Sequence, residues 1–102
     1  MNSFSRTSVF DEWLTRLQDK TGKALILKRI RSAEAGNFSD CKPVGRGVSE
    51  MRVHFGPGYR AYFTRTGGVL YLLLCGGDKS SQHSDIAEAI EMSKLLKQRK
   101  PK

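Results

Sequence analysis

The sequence predicts an α+β domain, in which an N-terminal helical hairpin packs on a mostly antiparallel sheet in the order β-α-α-β-β-β-α. The prediction rests on the period of the apolar residues. They recur with a helical period before residue 35, alternate with polar residues between 48 and 64, and return to a helical period after residue 85. With 102 residues, of which 38% are hydrophobic, residues 1–102 are expected to form a single domain with one modest core.

The first part of the chain is predicted to form a short edge strand over Asn2 to Arg6 and then two helices. In the first helix the apolar residues are spaced i, i+3, i+4 and i+7, and Thr7 or Ser8 provides the N-cap. The apolar residues with this spacing are Phe10, Trp13, Leu14 and Leu17. The second helix is predicted over Lys23 to Glu34 with a basic outer face, and the two helices together form the hairpin.

The second part of the chain is predicted to hold three strands and a helix. Residues 38–47, which contain a proline and two glycines, are expected to be irregular. Two alternating strands flank the Gly56-Pro57-Gly58 turn, and a second turn at Thr66-Gly67-Gly68 leads into Val69 to Cys75. That run is apolar throughout, so it is expected to be covered on both faces. The last helix is predicted to begin between Ser81 and Asp85, with a capping box that pairs Asp85 with Glu88.

The composition favours a polyanionic partner. Eighteen Lys and Arg residues against ten Asp and Glu residues give a net charge of +8, which is typical of nucleic-acid binding. Cys41 and Cys75 match no metal-binding spacing, so neither a metal nor another cofactor is predicted. The longest apolar run is too short to span a bilayer. We therefore expect a cytoplasmic protein with no membrane partner.

The strands around the Gly-Pro-Gly turn hold the candidate site. Alternation places Arg52, His54, Arg60 and Tyr62 on one face of the hairpin, and Lys79 follows a glycine pair after the third strand. Metal-free RNA cleavage needs a base for the 2′-hydroxyl, a cation for the phosphorane and an acid for the leaving oxygen. Arginine suits the phosphate, whereas histidine, tyrosine and lysine suit proton transfer or leaving-group stabilisation.

Each candidate also has a structural alternative. For Arg52 it is a salt bridge with Glu50 or Asp78, and the other four could be solvated or packing residues. Arg60 and Arg52 are therefore ranked first, because their phosphate-binding role is the better supported half of the chemistry. Glu50 is predicted to orient Arg52 rather than to act as a base. The basic face of the second helix and the C-terminal tail, residues 97–102, are predicted to contact phosphates without sequence preference, and the alternative for the tail is a frayed end.

Four segments resemble a known family. They read F-D-E-W-L, G-N-F-S-D-C-K-P-V-G, V-S-E-M-R-V-H-F-G-P-G-Y-R-A-Y-F and L-L-L-C-G-G-D-K-S-S-Q. In these segments the chain resembles the RelE/ParE superfamily of bacterial toxins, and within it the HigB-like branch of addiction module killer proteins. The resemblance covers nearly the whole chain and implies a RelE-like fold.

The resemblance also implies a function. It implies the toxin of a type II toxin–antitoxin module, a metal-independent and ribosome-dependent endoribonuclease that cuts mRNA and inhibits translation. It implies a cognate antitoxin, a helix-turn-helix protein, and contact with DNA only through that complex. The chain departs from the mRNA-cutting members because the segment after Leu96 has no tyrosine or histidine. The alternative is therefore a ParE-like noncatalytic toxin that acts on DNA gyrase. A plain RNA-binding module is less favoured, because no known RNA-binding signature is present.

Overall fold

The computed structural model describes residues 2–66 and 70–98, which form a layer of two helices, a five-stranded sheet and a third helix on the other face. The helices are α1 (Ser8–Arg16), α2 (Lys20–Glu34) and α3 (Gln82–Gln98), and a 3-10 turn (Lys79–Ser81) precedes α3. The strands are β1 (Ser3–Arg6), β2 (Cys41–Gly45), β3 (Val48–Val53), β4 (Tyr59–Arg65) and β5 (Leu70–Asp78).

The sheet is mixed, so the predicted mostly antiparallel fold is wrong. Its strands lie in the order β1-β5-β4-β3-β2. The edge strand β1 runs parallel to β5, with Ser3 opposite Leu70, whereas the other three pairs are antiparallel. The sequence predicted a short edge strand here, but the partner of β1 is more than sixty positions away in the chain. Nothing in a local pattern reports the direction of such a pairing.

The fifth strand, β2, lies in the segment that was predicted to be irregular. Cys41 pairs with Met51 and Lys42 with Glu50, and the register then shifts between Pro43 and Gly45. A proline cannot donate a ladder hydrogen bond, but it is tolerated here because β2 is an edge strand. The proline and glycines that argued against a strand therefore mark an irregular sheet edge.

The predicted N-terminal hairpin packed on an antiparallel sheet is not the observed arrangement. Helix α1 packs mainly on β5 and β1, whereas α2 contacts β3, β4 and β1. Each helix thus takes its main support from the sheet. Thr7 caps α1 as predicted, because its hydroxyl accepts from the Phe10 amide at 3.1 Å. Helix α2 begins three residues before the predicted start, because Asp19 caps it.

Two hydrophobic clusters cover the two faces of the sheet. The first joins α1 and α2 to the sheet through residues that include Phe10, Ile26 and Phe63. The second lies beneath α3 and includes Ala89 and Tyr62. Strand β5 contributes to both, with Leu73 in the first cluster and with Leu74 and Cys75 in the second. The prediction that this strand is covered on both faces is confirmed.

The last helix, α3, begins at Gln82, within the predicted range of Ser81 to Asp85, so its predicted start is confirmed. Its capping box differs from the prediction, and part of the C-terminal half lies outside the described residues. A capping box joins Asp78 and Ser81 at the 3-10 turn, rather than Asp85 and Glu88. The predicted turn at Thr66-Gly67-Gly68 and the predicted tail at 97–102 fall largely outside the described residues. Among the residues that are described, no helix has the length and apolar character needed to cross a membrane.

Asp19 ties the start of α2 to strand β4. One carboxylate oxygen accepts from the Gly22 amide at 2.9 Å, and the other accepts from the Tyr59 hydroxyl at 2.7 Å. The Gly22 amide, followed by the Tyr59 hydroxyl, lowers the pKa of Asp19. The same carboxylate raises the pKa of Tyr59 to about 12. Both shifts favour a negative Asp19 beside a neutral Tyr59.

The lowered pKa predicts how stability depends on pH. A carboxylate whose pKa is depressed by folding stabilises the protein above its unfolded pKa, about 4, and that contribution is lost as the pH falls through the folded pKa. Asp19→Asn keeps an acceptor oxygen but cannot titrate. We expect this variant to be less stable than the parent protein at pH 7 and to lose less stability on acidification to about pH 3.

Urea unfolding at the two pH values measures both effects. The matched control is Glu12→Gln, an exposed carboxylate on α1, which should follow the parent protein at both pH values. An Asp19→Asn protein that loses as much stability on acidification as the parent would contradict this role.

Candidate functional site

The predicted site residues on the hairpin share one face, but they divide into two groups. In the register of β3 with β4, Arg52 lies opposite Arg60 and Glu50 lies opposite Tyr62. Alternation therefore placed these side chains on the correct face. Arg60 and Tyr62 lie in a covered region beside Glu50 and α3, whereas Arg52 and His54 line an open cavity.

The covered group is organised by the carboxylate of Glu50, which is completely buried. One of its oxygens lies 3.2 Å from Nε of Arg60, whose side chain is only 11% exposed. The Nε–H is not directed at the oxygen, so this contact is an ion pair and not a hydrogen bond. Gln82, the first residue of α3, donates to the two carboxylate oxygens at 3.2 and 3.3 Å. Glu50 is thus neutralised and hydrogen-bonded, as a buried charge must be.

This pairing corrects the role predicted for Glu50. Arg60 lies diagonally across the ladder from Glu50, within reach of a long side chain. Glu50 therefore holds Arg60 rather than Arg52. The guanidinium of Arg60 also donates from Nη1 to the Gly58 carbonyl at 3.2 Å. Its charge is therefore paired with Glu50, and one of its donors is used within the protein.

Tyr62 is a packing residue. Its side chain is completely buried in the cluster beneath α3. The hydroxyl has no hydrogen-bond partner in the described part of the chain. Burial, with a smaller contribution from the charge of Glu50, raises the pKa of Tyr62. A buried phenol that is held neutral does not reach a substrate.

Lys79 lies apart from the cavity. It is exposed at the start of the 3-10 turn, and its backbone amide donates to the Pro57 carbonyl at 3.4 Å. This contact places Lys79 beside the Gly-Pro-Gly turn. Within residues 2–66 and 70–98, its ammonium forms no ion pair.

The open group lines a cavity of about 370 Å³ between α2, the segment before β2, and the end of β3. We call it the Asp40 cavity. Its lining residues are Leu25, Lys28, Arg29, Ser32, Ser39, Asp40, Arg52, Val53 and His54. The lining therefore combines three basic side chains, Lys28, Arg29 and Arg52, with one carboxylate. Sequence reasoning found Arg52 and His54 but missed Asp40, which only the pairing of β2 with β3 brings beside them.

Asp40 orients the two predicted residues of this cavity. One carboxylate oxygen accepts from Nε of Arg52 at 3.2 Å and lies 3.0 Å from its Nη2. The other oxygen contacts Nε2 of His54. The backbone amide of Arg52 also donates to the Asp40 carbonyl at 3.1 Å. Because Nε2 faces Asp40, Nδ1 is left as the acceptor nitrogen of a neutral His54, whose side chain is 73% exposed.

Arg29 closes the cavity on the side of α2. Its Nη2 donates to the Ser39 carbonyl, and its Nε donates to the Arg52 carbonyl at 3.4 Å. Cys41 lies beside it, with its sulfur 3.9 Å from Nη2. Burial, acting more strongly than the neighbouring Arg29, raises the pKa of the Cys41 thiol. The raised pKa keeps the Cys41 thiol neutral. The hydrogen-bond partners of Arg29 among the described residues are therefore all uncharged.

This arrangement is suited to acid–base chemistry on an anion. A carboxylate that fixes an imidazole is the standard way to set the tautomer and direction of a general base. Arg52 beside it presents donors that match phosphate oxygens. Within residues 2–66 and 70–98, no group of three or more His, Cys, Asp or Glu side chains is placed to hold a metal ion.

Comparison with known proteins yields a relative without an assigned activity. No protein-family model matches the chain. A protein of Haemophilus influenzae that is described as uncharacterized is 48% identical over 92 residues. The matched region covers 90% of this chain and 89% of the relative. The two proteins are therefore similar over nearly their full lengths.

The buried ion pair predicts a large effect of a small substitution. Glu50→Gln removes the charge that pairs with Arg60 and leaves a largely buried guanidinium without its ion-pair partner among the described residues. We expect the free energy of unfolding to fall by about 3 kcal/mol. Urea denaturation at pH 7 measures the loss. The control is Glu91→Gln on the exposed side of α3, which should change stability by less than about 0.5 kcal/mol. Equal stability of the Glu50→Gln and parent proteins would show that Arg60 does not depend on this carboxylate.

Proposed function

We propose that the chain, which belongs to the same protein family as the uncharacterized Haemophilus influenzae protein, is the toxin of a type II toxin–antitoxin module. In this proposal it acts in the cytoplasm as a metal-independent endoribonuclease that cuts mRNA on the ribosome. The observation that carries the proposal is the Asp40 carboxylate, which holds His54 and Arg52 side by side in a cationic cavity. The resemblance to the HigB-like branch of the RelE/ParE superfamily supports the choice of mRNA and ribosome.

The proposed chemistry uses the 2′-hydroxyl of RNA as its own nucleophile. Asp40 holds Nε2 of His54, and Nδ1 accepts the 2′-proton while the 2′-oxygen attacks the adjacent phosphate. Arg52 donates to the phosphate oxygens and stabilises the charge of the phosphorane. The 5′-oxygen then leaves and takes a proton from water at the exposed mouth of the cavity, and the hydroxide that remains takes the proton from Nδ1 of His54, which returns the imidazole to its starting form. The products are a 2′,3′-cyclic phosphate and a free 5′-hydroxyl.

This assignment changes the order of the candidate residues. His54 and Arg52 become the catalytic pair, because they line an accessible cavity. Arg60 and Tyr62 support the fold beneath α3, and Arg60 is the counter-ion of a buried carboxylate. Loss of toxicity in an Arg60 variant would therefore first indicate a destabilised fold, and not the loss of a catalytic group.

The imidazole is the sharpest test of this function. His54→Gln removes the base but keeps a polar side chain, so we expect transcript cleavage on translating ribosomes to fall by about 100-fold or more. Arg52→Gln is expected to have a similar effect through the loss of transition-state charge stabilisation. The readout is primer extension on a reporter transcript after induction, alongside growth. His83→Gln is the matched control, because His83 is exposed on α3 and does not line the cavity.

Two results would contradict the proposal. Full cleavage by a folded His54→Gln protein would remove the imidazole from the mechanism. Intact transcripts together with a DNA-damage response would instead favour the ParE-like toxin that acts on gyrase.

The proposal also implies a partner. An antitoxin of the helix-turn-helix type should neutralise the toxin, and the complex rather than the toxin alone should contact DNA. The net charge of +8 favours rapid capture by an acidic antitoxin segment. Co-expression with the product of the adjacent open reading frame should restore growth, and a lack of rescue by either neighbouring gene would count against this partner.

A further inference from the structure

The wall of the Asp40 cavity formed by α2 carries two basic side chains, Lys28 and Arg29, for which the described residues supply no ion-pair partner. Asp40 is engaged with Arg52 and His54. Arg29, in contrast, faces only the Ser39 and Arg52 carbonyls and a thiol among the described residues. Lys28 beside it is exposed and forms no ion pair within residues 2–66 and 70–98. Two cations therefore remain available on one wall of the cavity.

The same wall offers hydroxyl donors in addition to the cations. Ser32 lies one helical turn after Lys28 and lines the same cavity. Ser39 faces it from the segment before β2. Cationic and hydroxyl donors in one cavity suit a tetrahedral oxyanion, because phosphate oxygens accept from every such donor. The volume of about 370 Å³ lies within the usual range of small-ligand sites, about 300–1,000 Å³.

The wall is also held in place before any ligand arrives. Ile26 and Ile30, on either side of Lys28 and Arg29 in the helix, are buried in the core of the first cluster. The two carbonyl contacts of Arg29 join the helix to both other walls of the cavity. Because Arg29 is fixed in advance, less entropy is lost when it binds an anion.

We propose that Lys28, Arg29 and Ser32 form a second phosphate subsite, which binds a backbone phosphate next to the one that is cut. The identity of this phosphate as part of RNA rests on the proposed function, whereas phosphate binding by the wall does not. Lys28 and Arg29 act here as positioning residues. They hold the neighbouring nucleotide so that the scissile phosphate lies against Arg52 and the 2′-hydroxyl lies near His54.

The first experiment uses the full chain, labelled with nitrogen-15, and inorganic phosphate as the probe. We expect saturable shifts of the amides of Arg29, Ser32 and Asp40 on titration. Lys28→Gln should weaken binding by about 3- to 10-fold, and Arg29→Lys should also weaken it, because lysine lacks the fork of donors. Lys20→Gln is the matched control: it removes the same charge from an exposed position on the same helix, outside the cavity.

The second experiment identifies the source of the phosphate. Its ligands are a dinucleoside monophosphate and a trinucleoside diphosphate, each with a 2′-deoxy sugar before the scissile position so that neither is cut, and a free mononucleotide. We expect the second phosphate to raise affinity by about 10-fold for the parent protein and for Lys20→Gln. This gain should disappear in Lys28→Gln. Steady-state cleavage by Lys28→Gln should show a raised KM with a smaller change in kcat, as expected of a positioning residue.

The outcomes separate the two proposals. Absence of saturable phosphate shifts at α2, or equal weakening by Lys20→Gln and Lys28→Gln, would overturn the subsite even if transcripts are cut. Phosphate binding at α2 without transcript cleavage would overturn the proposed function and support the subsite as an anion site. A mononucleotide that binds as tightly as the trinucleoside diphosphate would overturn the assignment to an RNA backbone. Lys28 is exposed, so its variant tests the subsite even if Arg29→Lys fails to fold.

Discussion

The buried carboxylate of Glu50 is the constraint on which the arrangement of this protein depends. A charge with no exposure is tolerated only beside a counter-charge and hydrogen-bond donors, and Arg60 and Gln82 supply them. Gln82 is the first residue of α3, so the same carboxylate links the hairpin to the helix that covers this face of the sheet. Removing any member of this set would leave a buried polar group without its partner.

Two carboxylates, Glu50 and Asp40, place the cations of the hairpin in different surroundings. Glu50 takes Arg60 into the covered region, whereas Asp40 takes Arg52 and His54 at the edge of the sheet. Arg52 and Arg60 face each other across the ladder and have the same chemistry, yet their surroundings differ. Arg52 lines the Asp40 cavity, whereas the side chain of Arg60 is only 11% exposed. A chain with a net charge of +8 thus has few acidic groups, and their positions decide which cations remain available to a ligand.

Features that depend on residues close together in the chain were predicted correctly, whereas most of the missed features depend on residues that are far apart. The cap at Thr7, the three helices and the β3–β4 hairpin were predicted because each depends on residues close together in the chain. Strand β2 was missed because its proline and glycines are acceptable only at a sheet edge. The parallel pairing of β1 with β5 was missed because it joins strands that are more than sixty positions apart in the chain. The role of Glu50 was missed because its partner lies diagonally on the next strand.

The sequence by itself determined which side chains share a face of the hairpin, because alternation along a strand is a property of the backbone. It also determined the excess of positive charge, and through both it pointed to an anionic ligand. Only the tertiary structure decided which of those side chains are accessible. Helix α3 covers Tyr62, and the segment before β2 brings Asp40 to His54 and Arg52. Burial and counter-charges come from elements distant in the chain, and no local pattern records them.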